Sequence, residues 1–241
     1  MIAATTAPID ALPRTRRHRS VFQALRREIM LGENEPGAVL LELELAARFQ
    51  CSQSTVREAL LLLQAEGLVQ RSGHRGTRVS EITRDEAVEM LRLRRDMECR
   101  AAPRVFARRG ADLLPALRHQ FAAMQAAAGA GDEYALAEAD REFHRRLFAE
   151  ARLPSLEPLL LRCLSHNHRF KVLESRGRRD LRHTAERHMG IIAAVERRDP
   201  ADLVAALAHH VATVFNEGPS LLDTDEPGAG APVLAVVRPG V

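Results

Sequence analysis

The chain has 241 residues, a formal net charge of +3 and three cysteines, at positions 51, 99 and 163. An odd number of widely spaced cysteines without a CxxC pair argues against a disulfide framework, and no apolar run approaches the ~20 residues of a membrane-spanning helix. Aromatic residues make up 4% of the chain and Trp is absent, which favours helix-rich packing over a β-sandwich. We therefore expect a cytoplasmic protein of one or two domains, with a mainly α fold and no membrane partner.

The chain begins with a weakly apolar stretch that lacks the continuous apolar core of a signal peptide. Residues 1–19 carry several arginines late in the segment and are predicted to form a disordered basic arm. Ser20 can cap a first helix, which is predicted from Val21 to Leu31 and is ended by Gly32.

Residues 42–69 predict two short helices separated by a polar turn. Apolar residues recur at helical spacing in both helices, and Ser52 or Ser54 can cap the second. The first turn of the second helix stays polar, as a helix that reads bases in the major groove requires. The side chains predicted to contact DNA there are Gln53, Ser54, Thr55 and Arg57. An ordinary helical hairpin is the alternative interpretation of this stretch alone.

The residues after this hairpin favour the DNA-binding interpretation. Residues 68–71 and 77–79 are strand-like and flank a turn that contains His74, Arg75 and Gly76. Two strands around a basic, glycine-bounded turn predict a wing that approaches the phosphate backbone or the minor groove. Residues 1–80 hold 11 basic and 8 acidic residues, whereas the rest of the chain holds 24 of each. A winged helix-turn-helix domain is therefore predicted over residues 20–81.

From residue 82 the composition changes to long helices rich in Ala, Leu and Arg, which predict an all-helical antiparallel bundle over residues 82–218. Glycine, proline and polar breaks delimit six predicted helices, at about 83–109, 112–128, 133–151, 155–175, 180–198 and 200–216. Residues 219–241 are dominated by Pro and Gly and are predicted to be a disordered tail.

Potential metal ligands recur on the apolar faces of three of these helices. Asp140 and His144 are four residues apart and share one helical face. His188 and His210 lie among apolar residues on later helices, while His209 lies roughly 100° around the helix from His210. One carboxylate and three imidazoles suit Zn²⁺, Ni²⁺ or Mn²⁺. Histidines that are simply solvated or hydrogen-bonded are the alternative.

The segment LRREIMLGENEPGAVLLELELAARFQCSQSTVREALLLLQAEGLV, followed by GHRGTRV, resembles the winged-helix domain of GntR-type bacterial transcription regulators. The motifs LRLRRDMECRAA, DREFHRRLF, ERHMGIIAAVERRD and ALAHHV are similar to the helical FCD domain of the FadR subgroup. The resemblance implies a homodimeric repressor or activator whose affinity for operator DNA is changed by a small carboxylate effector.

The same resemblance assigns roles to individual residues. Asp140, His144, His188 and His210 match the family's metal positions. Arg94 matches an arginine that faces the ligand cavity, where a guanidinium suits a carboxylate. A solvated charge in a basic run is the alternative for Arg94.

In the predicted winged helix-turn-helix domain, Arg57 matches the family's operator-contacting arginine. His74, Arg75 and Gly76 match the tip of the family's wing. The chain departs from the family at Gln53, where an arginine is usual, and at Thr55, where proline is common. Because Gln pairs with adenine rather than guanine, the operator cannot be taken over from relatives.

We therefore expect an effector-responsive transcription regulator rather than an enzyme. One alternative is a helical metalloenzyme, but the sequence places no acidic residue clearly as a general base beside the metal. Another is a DNA-binding dimer in which the bundle is purely structural and binds no ligand.

Overall fold

The computed structural model describes residues 14–71, 76–107, 112–175 and 179–213, with side chains from residue 17 onward. The chain divides into two compact units, residues 1–81 and residues 82–241. Among the helices that the structure describes, none combines the length and the apolar character that a membrane crossing needs.

The first unit consists of helices and a small antiparallel sheet. Its described elements are α1 (Arg14–Met30), β1 (Val39–Leu40), α2 (Glu42–Arg48), α3 (Gln53–Ala65), β2 (Val69–Arg71) and β3 (Thr77–Val79). The strand order is β1-β3-β2, and Val69 pairs with Val79 while Leu40 pairs with Thr77. The predicted winged helix-turn-helix architecture is therefore confirmed.

Helix α1 packs against α3 and forms the core of this unit. Val21, Leu25 and Ile29 of α1 are fully buried, as are the apolar residues of α3 that the helical spacing had singled out. Two features differ from the prediction. Helix α1 begins at Arg14, so residues 14–19 are helical instead of belonging to an arm. The short strand β1 was not predicted, because a two-residue strand that only pairs with β3 leaves no periodic signal.

The described part of the second unit is entirely helical. Its elements are α4 (Arg84–Val105), α5 (Leu113–Ala130), α6 (Glu133–Ala149), α7 (Glu157–Ser175), α8 (Leu181–Glu186), α9 (Met189–Arg197) and α10 (Pro200–Ala212). Thr83 and Glu86 form a capping box at the start of α4, and Asp132 and Asp199 cap α6 and α10. Gly131 ends α5 in a left-handed conformation and Pro200 begins α10, so the glycine and proline breaks in the sequence mark these two boundaries.

The helices of the second unit pack around a core of leucines, alanines and a few aromatic residues. Helix α6 contacts α4, α5, α7 and α8, and α10 contacts α4 and α9. Phe143 of α6, Leu117 of α5 and Leu203 of α10 are fully buried in this core. The predicted mainly α bundle is thus confirmed.

The helix predicted at 180–198 is in fact two helices, α8 and α9, and His188 lies at the break between them. At this break the His188 Nδ1 atom lies 3.0 Å from the Ala185 carbonyl oxygen. The break places a fully buried imidazole at the start of α9, where it faces α6 and α10.

Candidate functional site

The start of α3 presents the polar side chains that were predicted to contact DNA. Ser52 caps the helix by accepting a hydrogen bond from the Thr55 backbone amide at 3.2 Å. Gln53, Ser54 and Arg57 are exposed. Thr55 is only 6% exposed and its hydroxyl lies 2.9 Å from Ser52 Oγ. Thr55 therefore stabilises the helix start instead of facing solvent, which leaves three of the four predicted contacts accessible to DNA.

Arg57 is held in place by a carboxylate on the preceding helix. Its Nη2 atom donates to Glu42 Oε2 at 2.7 Å, and its Nε atom lies 3.2 Å from both Glu42 oxygens. Arg71 of β2 donates to the same carboxylate at 3.1 Å. Hydrogen bonding from Arg57 holds the pKa of the Glu42 carboxyl below its usual value. Glu42 thus orients two arginines from two different elements.

Of the three residues predicted at the tip of the wing, only Gly76 lies within the described residues; His74 and Arg75 lie outside them. Gly76 is exposed and has a φ of +78°. Because this left-handed backbone strains residues with a Cβ atom, glycine suits the turn into β3.

In the second unit, the structure brings together the four predicted metal ligands. Asp140 and His144 project from α6, His188 lies at the start of α9 and His210 lies on α10. One ligand atom from each residue can be chosen so that all four lie within 4.8 Å of one another. His210 is buried, whereas its neighbour His209 is exposed.

Each of the three imidazoles has an acceptor beside its Nδ1 atom. The partners are Glu98 Oε2 for His144 at 2.8 Å, the Ala185 carbonyl for His188 at 3.0 Å and the Arg187 carbonyl for His210 at 3.4 Å. A proton on Nδ1 satisfies these acceptors and leaves the lone pair of Nε2 for another partner. This arrangement is typical of histidines that ligate metals through Nε2.

The Nε2 atoms lie close together. His144 Nε2 and His210 Nε2 are 3.2 Å apart, and with Nδ1 protonated on both rings they would face each other as two acceptors. His188 Nε2 is fully buried and lies 3.0 Å from Asp140 Oδ1, yet it has no hydrogen-bond partner among the described residues. A divalent cation bound by three imidazoles and one carboxylate would satisfy the Nε2 atoms of His188 and His210 and would replace Arg94 as the partner of His144 Nε2, so the residues fit a metal.

The electrostatics of the cluster agree with this fit. Burial lowers the pKa of His144, and burial together with the neighbouring His188 lowers that of His210 well below its usual value. Burial alone would raise the pKa of Asp140, but His188 and His144 beside it hold that pKa well below normal. The cluster therefore offers neutral His144 and His210 and an ionised Asp140, which are the forms that bind metals.

Arg94 lies beside this cluster and is only 3% exposed, so the alternative of a solvated charge is wrong. Its Nε atom donates to Glu98 Oε1 at 2.6 Å and its Nη2 atom donates to His144 Nε2 at 2.8 Å. Burial opposes ionisation of Glu98, but His144 and Arg94 overcome this effect and lower the pKa of Glu98 to about 2.

Glu98 was not recognised in the sequence. The signal that could have revealed it is its spacing of four residues from Arg94 on one helix, which predicts that the two side chains meet.

A small cavity, partly open to solvent, adjoins the cluster. Its lining is polar except for Leu164 and contains Arg94, Lys171 and Arg187 as cations. Burial, together with Arg179 and Arg187, lowers the pKa of Lys171 well below its usual value. Burial likewise lowers the pKa of Arg187, to about 10. Neither Lys171 nor Arg187 was predicted as a site residue, because each is placed at the cavity by tertiary packing.

Two family models match the chain and together span most of both units. The model described as "Bacterial regulatory proteins, gntR family" matches residues 17–79, and the model of the FCD domain matches residues 89–213. The chain belongs to the GntR family and carries an FCD domain. It is therefore a DNA-binding transcription regulator rather than an enzyme, and its second unit is the effector-binding domain.

Known members of the family resemble the chain over most of its length. The "Probable D-xylose utilization operon transcriptional repressor" of Paenarthrobacter nicotinovorans is 33% identical over 203 residues, which span 83% of this chain and 88% of that protein. Two solved structures share the fold. A GntR transcriptional regulator from Rhodococcus sp. RHA1 has a TM-score of 0.67 at 22% identity, covering 84% of this chain and 99% of that one. McbR/YncC from E. coli has a TM-score of 0.65 at 24% identity, and the match covers 80% of this chain and 92% of that one.

Proposed function

We propose that this GntR-family protein is a cytoplasmic, homodimeric repressor in which an FCD-bound divalent metal and a small carboxylate effector control affinity for operator DNA. The observation that carries the proposal is the convergence of three Nε2 atoms and the Asp140 carboxylate while every Nδ1 atom has its own acceptor.

Asp140, His144, His188 and His210 would hold the metal, with Zn²⁺, Ni²⁺ or Mn²⁺ compatible with these donors. The bound ion would supply open coordination positions for a carboxylate oxygen. Glu98 would fix the tautomer of His144 and neutralise Arg94, and Arg94 would present its remaining N–H groups to the effector. Effector binding would then change the packing of the bundle and the spacing of two winged helices on the operator.

On the DNA side, Gln53, Ser54 and Arg57 are the exposed groups at the start of α3 and would read the major groove. Gln53 favours adenine at the position where an arginine would favour guanine. The wing, with Gly76 and with His74 and Arg75 beside it in sequence, would contact the phosphate backbone.

A homodimer is supported by a physical feature of the second unit. Three leucines are exposed on or beside α4 and α7, two helices that pack against each other. They are Leu93 on α4, Leu156 just before α7 and Leu159 near the start of α7. Exposed leucines on packed helices are candidates for burial by a second subunit where they form a contiguous patch. The negative sign of regulation is supported by the name of the P. nicotinovorans repressor.

Metal content, measured by elemental mass spectrometry on untagged protein, tests this proposal. We expect roughly one metal per chain in the wild type and a loss of most of it in His188→Ala and His210→Ala. His209→Ala is the matched control, since it removes an exposed imidazole next to His210.

Small carboxylates are then screened on the metal-loaded protein for release of operator DNA. A wild type that holds no metal even after reloading would overturn the metal assignment. Metal-loaded protein whose DNA affinity no carboxylate changes would overturn the effector class.

A further inference from the structure

The cavity beside the histidine cluster contains cations that the described residues leave without anionic partners. Lys171 is the only lysine of the chain, and its ammonium has no hydrogen-bond or ion-pair partner among the described residues. Arg187 donates to the His210 carbonyl and to Thr213 Oγ1 at 2.8 Å, both of which are neutral acceptors. Within the described structure, no carboxylate forms an ion pair with either side chain.

Two carboxylates, Glu98 and Asp140, offset part of the positive charge near the cavity. Arg94 is paired with Glu98, so this pair adds no net charge. Asp140 offsets one of the two charges of a divalent ion in the cluster. A bound anion would favour the charged form of Lys171, whose pKa is lowered by burial. With Lys171 and Arg187 both charged, the metal-loaded site carries about three positive charges in a place of reduced solvent access. A single carboxylate would leave about two of them uncompensated, which is unfavourable where water cannot screen them.

The polar lining of the cavity also indicates which chemical class of ligand fits it. Among the described residues that line this cavity, Leu164 alone is apolar, while Asn167 and Thr184 contribute neutral polar side chains. Asn167 Oδ1 is buried and unpaired among the described residues, and its amide nitrogen donates to the Ala87 carbonyl at 2.9 Å. A buried acceptor on a residue that lines the cavity is available for a hydrogen bond from a ligand hydroxyl.

We propose that the effector is a small, hydroxylated acid with at least two anionic groups. One group lies at the metal beside Arg94, and the second is bound by Lys171 and Arg187. This inference rests on the proposed metal and carboxylate function and specifies the ligand class of the same site. The second anionic group can be a carboxylate or a phosphate, since both bind an ammonium and a guanidinium.

Isothermal titration calorimetry on the metal-loaded full-length chain tests the proposal. The probes are acetate and lactate as monoacids, succinate and malate as diacids, and 3-phosphoglycerate as a carboxylate-phosphate. We expect at least one diacidic probe to bind at least about tenfold more tightly than either monoacid, since a charge-assisted hydrogen bond contributes a factor of that order. Tight binding of 3-phosphoglycerate but not malate would identify phosphate as the second group, and the reverse would identify a carboxylate.

Two variants locate the second anionic group. Lys171→Met keeps most of the side-chain volume but removes the charge. It should lower the affinity for the tightest-binding diacid at least about tenfold, while the affinity for acetate changes less than about twofold. Lys171→Arg should restore most of the lost diacid affinity. Metal content and melting temperature of both variants show that the site is still folded.

Other outcomes overturn the inference in distinguishable ways. If the wild type holds metal and binds acetate, but diacids bind no better, the proposed function stands and the diacid assignment fails. The assignment also fails if Lys171→Met weakens acetate and the diacids equally. If the wild type holds no metal and binds none of the probes, the proposed function and this inference fail together.

Discussion

The carboxylate of Glu42 in α2 holds the guanidinium of Arg57 in α3, with 2.7 Å between Arg57 Nη2 and Glu42 Oε2. The same carboxylate accepts a hydrogen bond from Arg71 on the first strand of the wing. One acidic side chain therefore orients two basic groups from separate elements of the winged helix-turn-helix domain. An arginine that is held in one orientation can select a base, whereas a free arginine is attracted to any phosphate.

We expect Glu42→Gln to lower DNA specificity while raising affinity for unrelated DNA. Removing the negative charge should strengthen binding to phosphates, and releasing Arg57 should weaken a base contact of about 1–3 kcal/mol. The ratio of operator affinity to affinity for scrambled DNA should then fall by roughly fivefold or more. Fluorescence anisotropy at matched salt, with an operator selected from random duplexes, measures both affinities. Glu44→Gln on the same helix is the control, and equal behaviour of the two variants would contradict the orienting role.

Glu98 should control metal affinity although it is not one of the four proposed ligands. Glu98→Gln removes the charge that holds His144 Nδ1 and leaves the buried Arg94 unpaired. Loss of such an outer partner weakens metal binding by about 10–100-fold. Competition with a chromophoric chelator measures the change, and Glu89→Gln, which alters an exposed glutamate of the same helix, is the control. Unchanged affinity in Glu98→Gln would show that His144 does not depend on this carboxylate.

The fold was largely predictable because its helices are amphipathic and capped. The apolar spacing of Val56, Ala59, Leu60 and Leu63 is local information, and all four side chains are buried. The break at His188 was not predictable, since the segment from Leu181 to Arg197 contains no proline and its one glycine, Gly190, lies beyond the break. The interruption accompanies contacts of His188 with other helices, which the local sequence does not encode.

The candidate site was predictable only in part, for a similar reason. The four proposed ligands lie on apolar faces with helical spacing and match a family pattern, so the sequence could single them out. Lys171 and Arg187 carry no such signal, because an isolated basic residue on a helix is usually solvated. Only the packing of α7 and α8 near the cluster brings these two cations to one cavity.

The three cysteines should differ in reactivity towards thiol reagents. Burial raises the pKa of both Cys99 and Cys163 to about 11, so only about 0.1% of either thiol is ionised at pH 8. We expect one fast reaction, at Cys51, and two slow ones that accelerate about tenfold per pH unit below the pKa. Labelling with 5,5′-dithiobis(2-nitrobenzoate) in native buffer and in guanidinium chloride measures the two classes. The Cys51→Ser variant should lose the fast phase, and a fast phase that persists in it would contradict this assignment.

Arg169 on α7 should lower the stability of the isolated chain. It is 0% exposed, and its three guanidinium nitrogens have no hydrogen-bond partner among the described residues. Burial lowers its pKa to about 10, which reflects the cost of keeping this charge away from water. Replacing even a buried ion pair with apolar side chains of similar volume is often neutral or stabilises a protein by about 1–4 kcal/mol, and Arg169 has no ion-pair partner among the described residues. We therefore expect Arg169→Met to raise the melting temperature by several degrees, measured by calorimetry on metal-free protein.

The control is Arg104→Met, at an exposed position of α4, which should change the free energy of unfolding by less than about 0.5 kcal/mol. A lower melting temperature in Arg169→Met would instead mean that the guanidinium forms a stabilising interaction in solution, and its partner would then have to lie outside the described residues or on a second subunit.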